Sequence, residues 1–283
     1  MGKAGKAGLA GLALLLGAAS ARGDEWTHQY TVKGRPEVRL TTDDGSVRIE
    51  AADRPMVDAR VTTKGWRIGP DEVTVTESQT GDRVDIEVRV PHHNWGIEFG
   101  HRSISLVVQV PRESDLEIRT GDGSVNAQPV SGRLRIFTGD GSITAEGLQG
   151  DIRLHTGDGS IRATGLQGRL EADTGDGHME VAGRFEVLDL RTGDGGIDAA
   201  VESGSKVSGA WSLRSGDGSI TLRLPEDIGA ELDAHTGDGH ITLDLPVTVA
   251  GTISPSTVRG KLGGGGPPLR VQTGDGSIRL QRM

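Results

Sequence analysis

The stretch Thr-Gly-Asp-Gly-Ser stands at 120–124, 138–142 and 156–160, and edited copies continue to the end of the chain. With the opening Thr or Ser as position zero, the openers are Thr42 (in the variant Thr-Asp-Asp-Gly-Ser), Thr120, Thr138, Thr156, Thr174, Thr192, Ser215, Thr236 and Thr273. From Thr120 to Thr192 the step is 18 residues each time, and it then widens to 23, 21 and 37. Apolar residues stand four and two before each opener and five and seven after it, as Leu134, Ile136, Ile143 and Ala145 do around Thr138. Spacing by two means strands with one buried face. The parity breaks between zero and five, so the chain bends at Gly-Asp-Gly. A second bend falls at segments such as Gly147-Leu148-Gln149-Gly150. Each unit therefore reads strand, corner, strand, return.

Two all-β architectures fit this pattern. Asp-Gly between alternating apolar runs is a hairpin signal, which would give an antiparallel β-meander or roll. Such a sheet would be very wide, and its apolar face would need a covering layer that the chain does not encode. In a coil, each inward residue stacks on its copy in the next unit, and every unit covers its neighbour. The left-handed hexapeptide coil wants an aliphatic residue every six, yet six after Leu116 is Asp122 and six after Ile118 is Ser124. The expectation is a β-solenoid, a single-stranded right-handed parallel β-helix with coils of about 18 residues. Stacking in chain order would leave 277–280 as the terminal strand, where Arg279 and Arg282 discourage end-to-end association.

Outside the repeats, 57–61, 84–90 and 104–110 alternate as longer strands, with an irregular excursion at 91–96. The region 22–111 reads as an N-terminal cap with first coils, and 112–283 as the solenoid proper. Residues 1–21 have the form of a secretory leader: Lys3 and Lys6, an apolar core at 9–19, then Ala19-Ser20-Ala21 as a small-x-small cleavage site. That apolar run is shorter than the ~20 residues of a membrane span. Loss of the two lysines takes the formal charge from −9 to −11, a balance that disfavours nucleic acid and anionic lipid. The chain has no cysteine, hence no disulfide and no lipidated cysteine. The expected location is the periplasm or the cell surface.

A leader, a strand ending Val108-Gln109-Val110-Pro111, and strand–Thr-Gly-Asp-Gly–strand coils closing on a last Thr-Gly-Asp-Gly-Ser-Ile together resemble one bacterial group. It is the group of exported β-helical proteins known as an adhesin-type domain of unknown function. The resemblance spans roughly residues 35 to 283. It implies an envelope location and a β-helical fold, and it assigns no catalytic residue and no cofactor.

The corners hold Gly121, Asp122 and Gly123; Gly139, Asp140 and Gly141; Gly157, Asp158 and Gly159; Gly175, Asp176 and Gly177; and Gly193, Asp194 and Gly195. Coils stacked ~4.8 Å apart would set these five aspartates in a ladder. Like charges at that distance repel by about 1 kcal/mol in water, so something must offset them. In the simplest reading each carboxylate accepts N–H bonds from the next Gly and Ser, with the glycines at positive φ. Asp158→Ala would then cost ~1–3 kcal/mol. Alternatively Asp122, Asp140, Asp158, Asp176 and Asp194 hold calcium, although calcium wants six to eight oxygens and no second acidic position keeps pace with the repeat. Phosphate binding fails, since a strand follows where a helix N-terminus is needed.

Identical aspartates in identical settings also argue against glycosidase chemistry, which needs two carboxylates in divergent environments. A lyase would want basic residues beside carboxylates, for which Arg135, Arg153 and Arg169 are the candidates. His155, His178, His235 and His240 lie near corners without metal-ligand spacing. Trp66 and Trp95, in irregular stretches, are the candidates for ligand contact. The sequence points to a non-enzymatic scaffold that binds a protein or polysaccharide surface. A carbohydrate-active β-helix enzyme and a calcium-stiffened rod stand as the alternatives.

Overall fold

The computed structural model describes residues 23–90 and 102–283, and for 249–252 the backbone only. The leader at 1–21 and Trp95 lie outside the described residues. Every described element is a strand, and among the described residues no helix is long and apolar enough to cross a membrane. The N-terminal strands are β1 (Glu25–Thr31), β2 (Glu37–Thr42), β3 (Ser46–Ala52), β4 (Met56–Lys64), β5 (Thr74–Thr80), β6 (Arg83–Arg89) and β7 (Ser103–Pro111). The regular repeats supply β8 (Asp115–Thr120), β9 (Val125–Ala127), β10 (Ser131–Thr138), β11 (Ile143–Glu146), β12 (Gln149–Thr156), β13 (Ile161–Thr174) and β14 (Met179–Thr192). The wider ones supply β15 (Ile197–Val201), β16 (Trp211–Ser215), β17 (Ile220–Leu224), β18 (Ala230–Thr236) and β19 (Ile241–Asp244). A hairpin of β20 (Val247–Ser254) and β21 (Thr257–Leu262) precedes β22 (Pro268–Thr273) and β23 (Ile278–Arg282).

The pairing decides between the two architectures. β10 pairs in parallel with β8 and β12, aligning Leu134 with Leu116 and Ile152 and Thr138 with Thr120 and Thr156. β11 likewise lies in parallel between β9 and β13, with Ile143 against Val125 and Ile161. Consecutive units thus wind the same way in an 18-residue register, and the antiparallel meander is not what forms. Strands before a corner build one stack and strands after it build a second, with β13 and β14 long enough to serve both. The chain is an all-β, mostly parallel solenoid.

The inward positions read from the repeat form its core. All of them, from Val38 and Leu40 to Ile278 and Leu280, are buried except Ile241 and Leu243 on β19. The return bends add Val130, Leu148 and Leu166, also buried, which the two-residue periodicity did not mark as core. Gly147 and Gly165 take φ near +65° there, a conformation that glycine adopts without strain.

Stacking follows chain order only in the middle. In the first stack the order in space is β5, β6, β2, β8, β10, β12, β13, β14, β16, β22, β18, β21, β20. The second runs β1, β4, β7, β3, β9, β11, β13, β14, β15, β17, β23, β19. The unit opened by Thr273 therefore slots between those of Ser215 and Thr236. This corrects the expectation for the final strand, which is interior: Arg279 lies between Thr221 and Thr242. The cause is the β20–β21 hairpin, which pairs with the outer edge of β18 and leaves the chain to return on its inner edge. The N-terminus mirrors this, because β2 and β3 sit inside the rung made by β6 and β7.

Candidate interaction surface

The opening hydroxyl, not the aspartate, holds the corners from Thr138 to Thr236. Thr156 Oγ1 donates to Gly141 O of the rung before it (2.8 Å), and Gly159 N donates to Thr156 Oγ1 (3.1 Å). Thr138, Thr174 and Thr192 repeat the pair of bonds, as do Ser215 and Thr236. The amide that an aspartate-capped turn would recruit is thus already taken. Asp122, Asp140, Asp158, Asp176 and Asp194 are all exposed, and among the described residues none of their carboxylates has a hydrogen-bond or ion-pair partner. The expected carboxylate turn does not form. The signal that could have revealed the true device was the hydroxyl at every opener.

The corner glycines serve close approach instead of positive φ. A Cβ on Gly159 would stand 2.2 Å from Gly141 O, and one on Gly141 would stand 2.1 Å from Gly123 O. None of the glycines in the five regular corners has φ in the left-handed region. Their first members continue the ladder through the bend, Gly157 N donating to Gly139 O and Gly139 N to Gly121 O (2.5 Å each). Side chains are excluded because adjacent backbones touch there. The Thr42 corner differs: Thr42 Oγ1 donates to Asp44 O (2.6 Å) and Gly45 has φ +112°. Its altered shape leaves Thr120 Oγ1 buried without a partner.

Along the edge, the carboxylates of the stacked corners form one exposed acidic line. No group of three or more His, Asp or Glu comes close enough to hold a metal ion among the described residues. Neighbouring corner acids stay one rung apart, ~4.8 Å, and corner carbonyls such as Gly139 O and Gly141 O accept from the Gly and Thr ladders. Calcium at these corners would need further oxygens, since the ion takes six to eight.

The outer face of the first stack carries alternating charge. Across rungs, Arg39 meets Glu117 (3.4 Å), Arg153 meets Glu171 (3.2 Å), His155 Nδ1 meets Asp173 (2.9 Å) and Arg259 meets Asp233 (3.1 Å). Exposed pairs of this kind contribute about 0–1 kcal/mol each, so they order the face more than they stabilise the fold. Arg135 and Arg153 are direct neighbours, but Arg169 falls opposite Asp151, so the three arginines do not form one cluster. Among the described residues Phe137 is the one Phe, Tyr or Trp on this face. Phe137 has the Arg119 guanidinium 4.8 Å above its ring and the His155 ring 6.3 Å away. It borders a shallow depression of about 210 Å³ shared with Arg153, His155, Glu171, Asp173, Asp189 and Arg191.

The remaining described candidates lie apart from this depression. Trp66 packs half-buried against the core, and the Arg102 guanidinium covers its ring at 4.3 Å. His178 meets Asp198 (3.3 Å), His235 meets Thr257 (3.0 Å) and His240 meets Ser277 (3.1 Å), each singly. A cluster that the sequence did not signal closes the N-terminal end. Tyr30 on β1 donates to Glu77 on β5, His28 reaches the same carboxylate (3.2 Å), and the Trp26, His28 and Tyr30 rings follow one another. Burial, together with the bond to Glu77, pushes the Tyr30 hydroxyl well above the ordinary tyrosine range.

Three solved structures are similar to this chain. A putative cell adhesion protein from Clostridium sporogenes is 13% identical, with 93% of this chain and 100% of that one covered, at a TM-score of 0.32. A putative adhesin from Bacteroides fragilis is 14% identical over 92% and 97%, at 0.44. A putative lipid binding protein from Parabacteroides distasonis is 13% identical over 91% and 96%, at 0.50, a likeness of fold. None of the curated proteins matches the chain. The family model described as Toastrack DUF4097 matches residues 36–281, from the start of the first inserted rung to the end of the last. With nearly all of its coils inside that match, the chain belongs to the Toastrack DUF4097 family.

Proposed function

We propose that this protein is a non-enzymatic, exported scaffold of the cell envelope or surface, and that its solenoid is a right-handed coil. Its outer strand face binds a protein or polysaccharide by shape and charge. The observation that carries this reading is Phe137, a half-buried aromatic ring on the outward side of a strand, framed by Arg119, His155 and Arg153. An outward ring among ordered charges supplies apolar contact with directional polar neighbours, the composition of interface anchors. The form of the leader and the lack of cysteine support export. The pairing of Glu171 with Arg153 and of Asp173 with His155 supports the absence of hydrolysis on this face, because neither carboxylate stands apart as an acid in an apolar setting.

The test is a binding screen of the purified protein against bacterial polysaccharides and envelope proteins, repeated with Phe137→Ala and Arg153→Glu. Each substitution should weaken the binding found by roughly tenfold, about 1.4 kcal/mol. Binding that both variants leave unchanged places the partner elsewhere. Release of reducing ends or unsaturated uronate from any of the polysaccharides shows an enzyme.

A further inference from the structure

The two ends of the solenoid are built differently. At the N-terminal end both stacks extend past the last parallel rung, the first by β5 and the second by β4 and β1. The extensions face each other and are joined through Tyr30 and Glu77. At the C-terminal end only the first stack extends, by β21 and β20, whereas the second stops at β19. The hairpin tip is held, with Ile241 N donating to Pro255 O (2.8 Å), but among the described residues β19 pairs with β23 alone and β20 with β21 alone.

Four observations mark this end as incomplete. Ile241 and Leu243 are the only inward repeat positions that are not buried. Ile253 shares the inner face of the hairpin with buried Val258, its register partner, yet is 57% exposed. A cavity of about 190 Å³ opens there among Leu224, Ile228, Leu245, Pro246 and Leu262. Finally, β20 reads Val-Thr-Val-Ala-Gly-Thr-Ile-Ser, a β-branched edge strand without one charged residue. Edge strands that stay monomeric carry charges, as β1 and β5 do with Glu25 and Glu77.

We propose that a second copy of this chain completes the C-terminal end as a two-fold half-lap joint. One stack overhangs by two strands and the other by none, so rotation by half a turn about an axis between the stacks fits each overhang into the partner's gap. β20 of each copy then adds to β19 of the other, both stacks become continuous, and the two hairpins face each other across a sealed core. Closure is isologous and ends at the dimer, because the N-terminal end is already capped. Both chains are acidic, with a formal charge of −9 each, so self-association needs an edge that brings no further like charge together. β20 meets that requirement.

The experiment is sedimentation equilibrium of the purified protein, of Ile253→Lys, and of Thr27→Lys on the exposed face of β1. Wild type and Thr27→Lys should sediment at twice the chain mass and Ile253→Lys at one chain mass. Ile253 is exposed in the single chain, so its variant should keep the wild-type circular dichroism. A wild-type monomer, a dimer that survives Ile253→Lys, or a mass that keeps growing with concentration would each overturn the joint.

Discussion

Replacing Thr156 by valine removes a hydroxyl while keeping the side chain's shape. Thr156 is fully buried, and its Oγ1 donates to Gly141 O (2.8 Å), with Gly139 O also in reach (3.2 Å) but kept by Gly157 N, and accepts from Gly159 N (3.1 Å). Valine strands one donor and one acceptor, each costing about 1–2 kcal/mol when buried without a partner. The methyl that takes the hydroxyl's place returns roughly 1 kcal/mol. Thr156→Val should therefore lose ~1–3 kcal/mol. Thr120 is the internal control, since its Oγ1 is buried in the same kind of corner with no partner. Thr120→Val removes an unsatisfied group and should be neutral or stabilising by up to about 1 kcal/mol. Guanidinium titration followed by tryptophan fluorescence gives the sign of each change, and amide exchange at Gly159 shows whether the loss is local. Equal effects at the two sites would refute the hydroxyl ladder.

Other substitutions separate the corner's parts. Gly159→Ala drives a Cβ to 2.2 Å from Gly141 O and should cost at least about 3 kcal/mol by denaturant titration, whereas Gly69→Ala meets no atom within 4 Å and should leave the midpoint unmoved. Asp158→Ala and Asp158→Asn should both stay within about 0.5 kcal/mol of wild type, and the melting temperature should ignore calcium and chelator alike. A calcium-dependent shift would restore the metal reading. Tyr30 is the only tyrosine, so ultraviolet titration reads it alone. The fold holds its proton more tightly than the unfolded chain, whose tyrosine titrates near ~10. Its contribution is complete below that pH and is lost as pH rises beyond it, a slope that Tyr30→Phe should abolish.

The sequence made the coil legible because period-two burial and a parity break are local signals, repeated at Leu134, Ile136, Ile143 and Ala145 and at every copy. It placed the corners but assigned their chemistry to the wrong atom. Asp158 is the eye-catching residue, yet contact between rungs is set by Gly141, Gly159 and Thr156, whose partners lie one coil away. The ends were illegible for a related reason. Whether β22 lies outside β18 or between β18 and β16 depends on which edge of β18 the β20–β21 hairpin occupies, a long-range competition that leaves no mark on residues 268–282. Phe137 was passed over because a single outward aromatic breaks no pattern. Its neighbours Arg119 and His155 join it only through stacking.

The rung order can be measured directly, because the chain has no cysteine and introduced pairs report without background. Ser277 N lies 3.2 Å from Ser219 Oγ, and Ile278 aligns with both Ile220 and Ile241. Under mild oxidation the pair Ser219→Cys with Ser277→Cys should close within the chain, and the pair Ser219→Cys with His240→Cys should remain free. Closure of the second pair and not the first would mean that the coils stack in chain order, and the interleaved solenoid would be wrong.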